Sequence, residues 1–187
     1  VPRVLRHAGR RPPFRQWVLP AGPGQDCEAE SPEHLFPDVT MESWREGIFQ
    51  LCWQQHGGSG LAVTLDDALE LYAAIVGGSA DEAASVLRSR PSLEGALARP
   101  ATYAHYQGAD LALQAAVLAH GIAESQAFLD GNKRLALVAM LTFLEANGYR
   151  IEATDPELAS WIIDLSQRLT SERLTEAIHP RLTPITG

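Results

Sequence analysis

Gly131-Asn132-Lys133-Arg134-Leu135-Ala136-Leu137-Val138-Ala139-Met140-Leu141-Thr142-Phe143-Leu144-Glu145-Ala146 is the stretch on which the fold turns. On a helical projection its apolar side chains, Leu135, Leu137, Val138, Met140, Leu141, Phe143 and Leu144, fall almost all round. A helix without a polar stripe must be enclosed by others, so it is predicted as the buried axis of the domain. Asn147-Gly148 supplies the stop. Upstream, Leu111 to Ala123 reads as a second strongly apolar helix. Thr64-Leu65-Asp66-Asp67 reads as an N-cap with acids in the first turn, leading into Ala68, Leu69, Leu71, Tyr72, Ile75 and Val76 before Gly77-Gly78. Between these helices, Asp81 to Leu87 is predicted as a short one, and Arg90-Pro91-Ser92 and Arg99-Pro100 bracket a second short piece. Downstream, Thr154-Asp155-Pro156-Glu157 places a cap and an early proline before Leu158, Trp161, Ile162, Leu165 and Leu169. Ser171 or Thr170 caps a final helix with Leu174 and Ile178, and Pro180 and Pro184 end the regular structure. No alternating apolar run is long enough for a sheet, so the expected class is all-α, a compact bundle around one buried helix.

The rest of the chain sets bounds on this reading. At 187 residues, 45% hydrophobic and 20% charged, it has the size and composition of one ordinary domain with an extension. No apolar stretch reaches the roughly 18 to 20 residues of a membrane span, so no membrane association is expected. The net charge of −8, from 15 basic and 23 acidic side chains, disfavours a general attraction to nucleic acid. Cys27 and Cys52 supply neither a disulfide framework nor a zinc quartet, and a reducing, cytoplasmic setting is expected. Residues 1–40 hold seven of the twelve prolines and five arginines without periodicity, and are read as a poorly structured extension before a domain over 41–187. The apolar part of that extension, Phe14 to Pro20, is too short and broken to be a secretory signal.

Between the two most apolar helices lies Gln126-Ala127-Phe128-Leu129-Asp130-Gly131-Asn132-Lys133-Arg134. A polar loop turning into a buried helix is chemically loaded, because the first N–H groups of a helix lack intrahelical partners and lie at the positive end of its dipole. Gly131, Asn132 and Lys133 stand there, and glycine admits a ligand close to the backbone. Asp130 and Arg134, one turn apart, place a carboxylate and a cation on one side of the helix start. Arginine forks onto phosphate oxygens, while a carboxylate holds magnesium bridging two phosphates. These residues fit a nucleotide phosphate site. They fit equally a plain N-cap with a surface ion pair worth about 0.3–0.5 kcal/mol.

The nine residues resemble the signature of the Fic/Doc (Fido) family, in the Doc, or death-on-curing, form His-x-Phe-x-Asp-[Ala/Gly]-Asn-Lys-Arg. Every position fits except the first, where Gln126 stands in place of histidine. Looser likeness runs from about Thr64 to Ile178, at Gly77-Gly78, Leu93 to Pro100 and Phe143 to Gly148. The resemblance implies transfer of a phosphoryl or AMP group from ATP, with Mg2+, to a protein hydroxyl. It implies that Asp130 holds the metal, that Gly131 and Asn132 cradle the phosphates with Lys133, that Arg134 clamps their charge, and that Phe128 anchors the loop. Lys133 favours the Doc branch, whose toxins phosphorylate elongation factor Tu and pair with an antitoxin protein.

Gln126 occupies the position of the family's general base, and an amide has no basicity near neutral pH. His120 and Glu124 are the nearest outside candidates for that role. Three readings stay open: a natural variant with altered mechanism, a catalytically silent nucleotide- or antitoxin-binding relative, or a chain whose histidine was replaced to relieve toxicity. Arg88, Arg90, Arg99, Tyr103, His105 and Tyr106 fall where the family has a target-docking flap, and equally read as solvated loop and helix-end residues. Thr40 to Gly47 approaches an inhibitory-helix motif with the wrong spacing, so no intrinsic inhibition is expected. Trp44, Phe49, Leu51 and Trp53 are expected to pack an N-terminal helix on the domain.

Overall fold

A computed structural model of the protein describes residues 62–167 and 170–185. The expectations for residues 1–61, among them the Met41 boundary and the helix carrying Trp44 to Trp53, lie outside the described residues, as does Leu169. Seven α-helices are formed among the described residues: α1 (Leu65–Val76), α2 (Ala80–Val86), α3 (Arg90–Gln107), α4 (Leu111–Ser125), α5 (Asn132–Ala146), α6 (Asp155–Gln167) and α7 (Ser171–Ile178). Among the described residues the fold is all-α, as the apolar patterning predicts.

Local chemistry starts most of these helices. Thr64 and Asp67 form a reciprocal capping box on α1, and Ser79 and Glu82 form another on α2. Asp110 caps α4 by accepting from the Leu113 N–H. Thr170, rather than Ser171, caps α7, accepting from the Arg173 N–H. At the axis, α5 buries every residue from Leu135 to Leu144. It packs against α1, α4 and α6, while α4, almost as deeply buried, also carries α3 and α7 on its other sides. The bundle therefore has two central helices, and the loop joining them is the motif segment.

Two expectations are corrected. The piece bracketed by Arg90-Pro91 and Arg99-Pro100 is one eighteen-residue helix, α3, running through Pro100 to a Gly108 cap with φ of 62°. Pro91 sits in the first turn, where its missing N–H costs nothing, but Pro100 is internal. Packing explains its tolerance: Leu93, Ala96, Leu97 and Pro100 are buried. At Gly121 of α4 a Cβ would lie 2.9 Å from Arg99 Cδ and 3.1 Å from Ala96 Cβ, so the glycine lets α3 and α4 close in the turn just before the proline. The second correction is small. Pro184 does not lie beyond regular structure; Leu182–Pro184 (β2) pairs antiparallel with Tyr149–Ile151 (β1), with Ile151 opposite Leu182. This clasp fastens the C-terminal segment to the end of α5. Among the described residues no helix is long and apolar enough to cross a membrane.

Candidate active site at the α4–α5 junction

The junction begins where α4 ends. Gln126 caps α4 with φ 46° and ψ 33°, the left-handed region, and it is the one non-glycine residue with positive φ among the described residues. That conformation costs a side chain roughly 1–2 kcal/mol, and it turns the chain sharply while leaving Gln126 exposed. Ala127 and Phe128 then dive into the core. Phe128 stacks on Tyr72 of α1 at a centroid distance of 3.6 Å, nearly parallel, which makes it the loop anchor that the resemblance implies. Leu129 and Asp130 return to the surface, and Gly131, with φ 81°, starts α5.

Asn132 closes this loop. Its Oδ1 accepts from the Phe128 N–H at 3.0 Å and its Nδ2 donates to the Phe128 carbonyl at 2.8 Å. The side chain is thereby committed to the loop backbone, so Asn132 can serve an anion only through its main-chain N–H. Asp130 is also organised. Its Oδ1 accepts from the Gly131 N–H at 2.6 Å and its Oδ2 from Arg134 Nη2 at 2.9 Å. The carboxylate remains 85% exposed while the Arg134 side chain is 19% exposed, so the guanidinium is held inward and the carboxylate faces solvent. No side chain caps the start of α5. With the Gly131 N–H itself taken by Asp130, the positive end of the helix dipole faces an anion through the N–H groups that follow it. Lys133 is half-buried in this first turn and has an interaction of its own.

Tyr72 is the residue that sequence reading assigned to the core and missed as part of the site. Its hydroxyl donates to the Asp130 carbonyl at 3.2 Å, and its ring would lie 3.0 Å from a Cβ on Gly131. Burial first, then the Asp130 carboxylate, raises its pKa above the ordinary value, with Arg134 opposing. It therefore stays a neutral donor through the physiological range. At fifty-eight residues' separation, no local pattern announces this contact. A second missed contact secures the loop from outside: the N–H groups of Arg88 and Ser89, in the turn between α2 and α3, both donate to the Ala127 carbonyl, at 2.7 and 3.3 Å.

The outside candidates for a base are differently employed. His120 Nδ1 lies 2.9 Å from Ser171 Oγ of α7, and its Nε2 lies 3.1 Å from Glu124 Oε1. Nδ1 thus joins α4 to α7 while Nε2 pairs with Glu124 one turn on within α4, so both ring nitrogens of His120 are engaged away from the role of base. Glu124 is drawn to His120 and, at 3.9 Å, to Arg99. The region where a docking flap was expected is largely helix α3, and its preceding turn is the part bonded to the motif loop.

Asp130, Gly131 and Arg134 are thus gathered at the start of α5 behind an anchored loop, and this is the segment that a comparison with known families reaches. Residues 62–144 match the Fic/DOC family. The Fic/DOC match covers α1 to α5 almost to the end of α5, which is every element that builds the junction, and leaves α6, α7 and the β clasp outside it. No curated protein matches the chain.

Proposed function

We propose that this protein is a Doc-like member of the Fic/DOC family. It acts in the cytoplasm as a toxin-module transferase that binds Mg-ATP and transfers a phosphoryl or AMP group to a hydroxyl of a target protein, such as a translation factor. An antitoxin protein is its natural partner, and its chemistry is altered by Gln126. The observation that carries this reading is the arrangement around Asp130: an exposed carboxylate braced by Arg134 at an α5 start that no side chain caps. Gly131 supports it, because a Cβ there would crowd the cradle against Tyr72 and its φ of 81° disfavours other residues.

The donor set fits the group. Asp130 would hold the magnesium, which supplies neutralisation of phosphate charge. The N–H groups of the first α5 turn and the inward guanidinium of Arg134 would bind and orient the phosphates, and such fixed donors act without reorganising as charge develops. Tyr72, Phe128 and Asn132 hold these groups in place. Gln126, exposed and directed by its left-handed backbone, would orient the attacking hydroxyl without taking its proton. Losing a general base typically costs about 10²–10⁴-fold. Loose phosphoryl transition states lean less on one.

The second reading is a catalytically silent nucleotide- or antitoxin-binding relative. It is favoured by one observation, that His120 has both ring nitrogens engaged and cannot replace the missing base. Mass spectrometry of the protein and a lysate after incubation with Mg-ATP, for this chain and Gln126→His, separates the two. An adduct made by either chain supports transfer, and its mass identifies the group. Adducts from neither, with no rise in melting temperature on adding Mg-ATP, would overturn the nucleotide site.

A further inference from the structure

Helix α7 lies outside the segment matched to the family, yet it packs on α4 and is pinned near both of its ends. At the start of α7, Ser171 Oγ lies 2.9 Å from His120 Nδ1, and His120 Nε2 lies 3.1 Å from Glu124 Oε1, one turn further along α4. At the other end, His179 Nε2 lies 3.0 Å from Oδ2 of Asp110, whose Oδ1 caps α4. α7 therefore runs antiparallel along α4, and Leu174 and Ile178 are buried between the pins. The two pins differ in kind. Asp110 and His179 are both half exposed, and a surface pair of that sort contributes little. Ser171 is buried, and a hydroxyl there is costly to leave without a partner. Because Nε2 of His120 faces a carboxylate it carries the ring proton, so in the neutral ring Nδ1 accepts from the Ser171 hydroxyl.

The stronger pin sits where α4 turns into the motif loop. Glu124, the far member of the chain of contacts, is also approached by Arg99 of α3 at 3.9 Å, so the last turn of α4 is held from α3 on one side and from α7 on another. Ser125 follows. Its hydroxyl donates to the Ile122 carbonyl at 2.8 Å and accepts from the Ala127 N–H at 3.3 Å, which closes the left-handed turn at Gln126. A non-glycine residue keeps such a backbone only where its surroundings over-determine it.

We propose that Ser171 and His120 are positioning residues of the candidate site: through their contact α7 fixes the last turn of α4, and with it the left-handed turn that aims the motif loop. The C-terminal helix is then a strap on the site, and freeing its start loosens the loop while the core stays folded. The consequence for a ligand, weaker phosphate binding at the start of α5, rests on the nucleotide reading; the coupling itself does not.

Hydrogen exchange read by mass spectrometry on the full chain tests the coupling, in peptides covering residues 126–132, α7 and α6, with circular dichroism verifying the fold of each variant. The Phe128 N–H, bonded to Asn132 Oδ1, reports on the loop. Ser171→Ala is expected to speed exchange in the loop roughly fivefold, the equivalent of one hydrogen bond, and to leave α6 unchanged. His120→Ala should do the same, and the double variant should add little, because both single changes remove one contact. His179→Ala breaks the other pin and should loosen the end of α7 without touching the loop. Loop exchange unchanged in Ser171→Ala, or raised equally by His179→Ala, would overturn the proposal. Equal acceleration in the loop and in α6 would overturn it too, by showing a loss of global stability in place of a local release. Melting of the parent protein with and without Mg-ATP, run in parallel, addresses the nucleotide reading by itself: no shift, with the exchange pattern intact, sinks that reading and leaves the coupling standing.

Discussion

Gln126 and Asn132 govern the candidate site in opposite ways, one by strain and one by closure. Gln126 holds a left-handed backbone that costs a side chain roughly 1–2 kcal/mol, while glycine would give back roughly 0.5–1 through the entropy of the unfolded chain. Gln126→Gly is therefore expected to stabilise the protein by about 0.5–1 kcal/mol in urea denaturation, and under the proposed function any transfer activity should fall with the loss of the side chain proposed to orient the hydroxyl. Asn132 works through Phe128, whose backbone N–H and carbonyl it satisfies together. Asn132→Ala leaves both without their partner and should cost about 2 kcal/mol. Asn132→Asp retains the acceptor and should recover part of that loss. Equal stability of the alanine variant and the parent protein would show that water replaces the closure. Asn132 was legible in the sequence as a motif position, but its employment was not, because a side chain that reaches back four residues can equally face a ligand.

Helix α3 shows how an element departs from its local rules. Two prolines and weak periodicity predict a broken piece, and the chain forms eighteen helical residues. The reason lies on α4. Gly121 removes the side chain that would hold Ala96 and Arg99 away, and the apolar face of α3 is buried there. Gly121→Val places branched carbons into a gap where even a Cβ meets Arg99 at 2.9 Å and Ala96 at 3.1 Å. Overpacking of this kind costs about 1–3 kcal/mol. The loss is expected to appear as faster hydrogen exchange across α3 on both sides of Pro100, more than in α6. Because the turn before α3 is bonded to Ala127, the same variant should loosen the motif loop.

The molecule as a whole depends on pH through its helix starts. Glu82 is held below its ordinary pKa of 4.5 by the Ser79 N–H and hydroxyl, Glu157 by the N–H and hydroxyl of Thr154 and then by Arg181, and Glu172 by its own N–H and the Thr170 hydroxyl. In the unfolded chain these groups take up protons near 4.5, and in the folded chain only at lower pH. Below 4.5 the unfolded state therefore binds more protons, and stability falls as pH drops through the folded values. The contribution is fully present above 4.5. Urea midpoints measured from pH 7 to pH 3 should be flat at first and then decline. A double variant, Ser79→Ala with Thr154→Ala, should lower the plateau and flatten the decline. A decline of unchanged steepness would place the acid sensitivity in other carboxylates.

Much of this could be read without coordinates, and the reason is chemical. An unbroken apolar surface from Leu135 to Leu144 has no stable fate except enclosure, so the buried α5 follows from composition. The caps at Thr64 and Thr170 follow from side chains that satisfy N–H groups three residues away. The motif residues likewise stand together because they are contiguous. What the amino-acid order left open are contacts between distant segments: Tyr72 with Phe128 and Asp130, the turn at Arg88 with Ala127, His120 with Ser171, and the pairing of Ile151 with Leu182. Each has ordinary local chemistry on both sides and acquires its role through packing, which depends on the whole set of helices closing at once. His120 became a strut between α4 and α7, and Tyr72, a core position by its spacing, became part of the site.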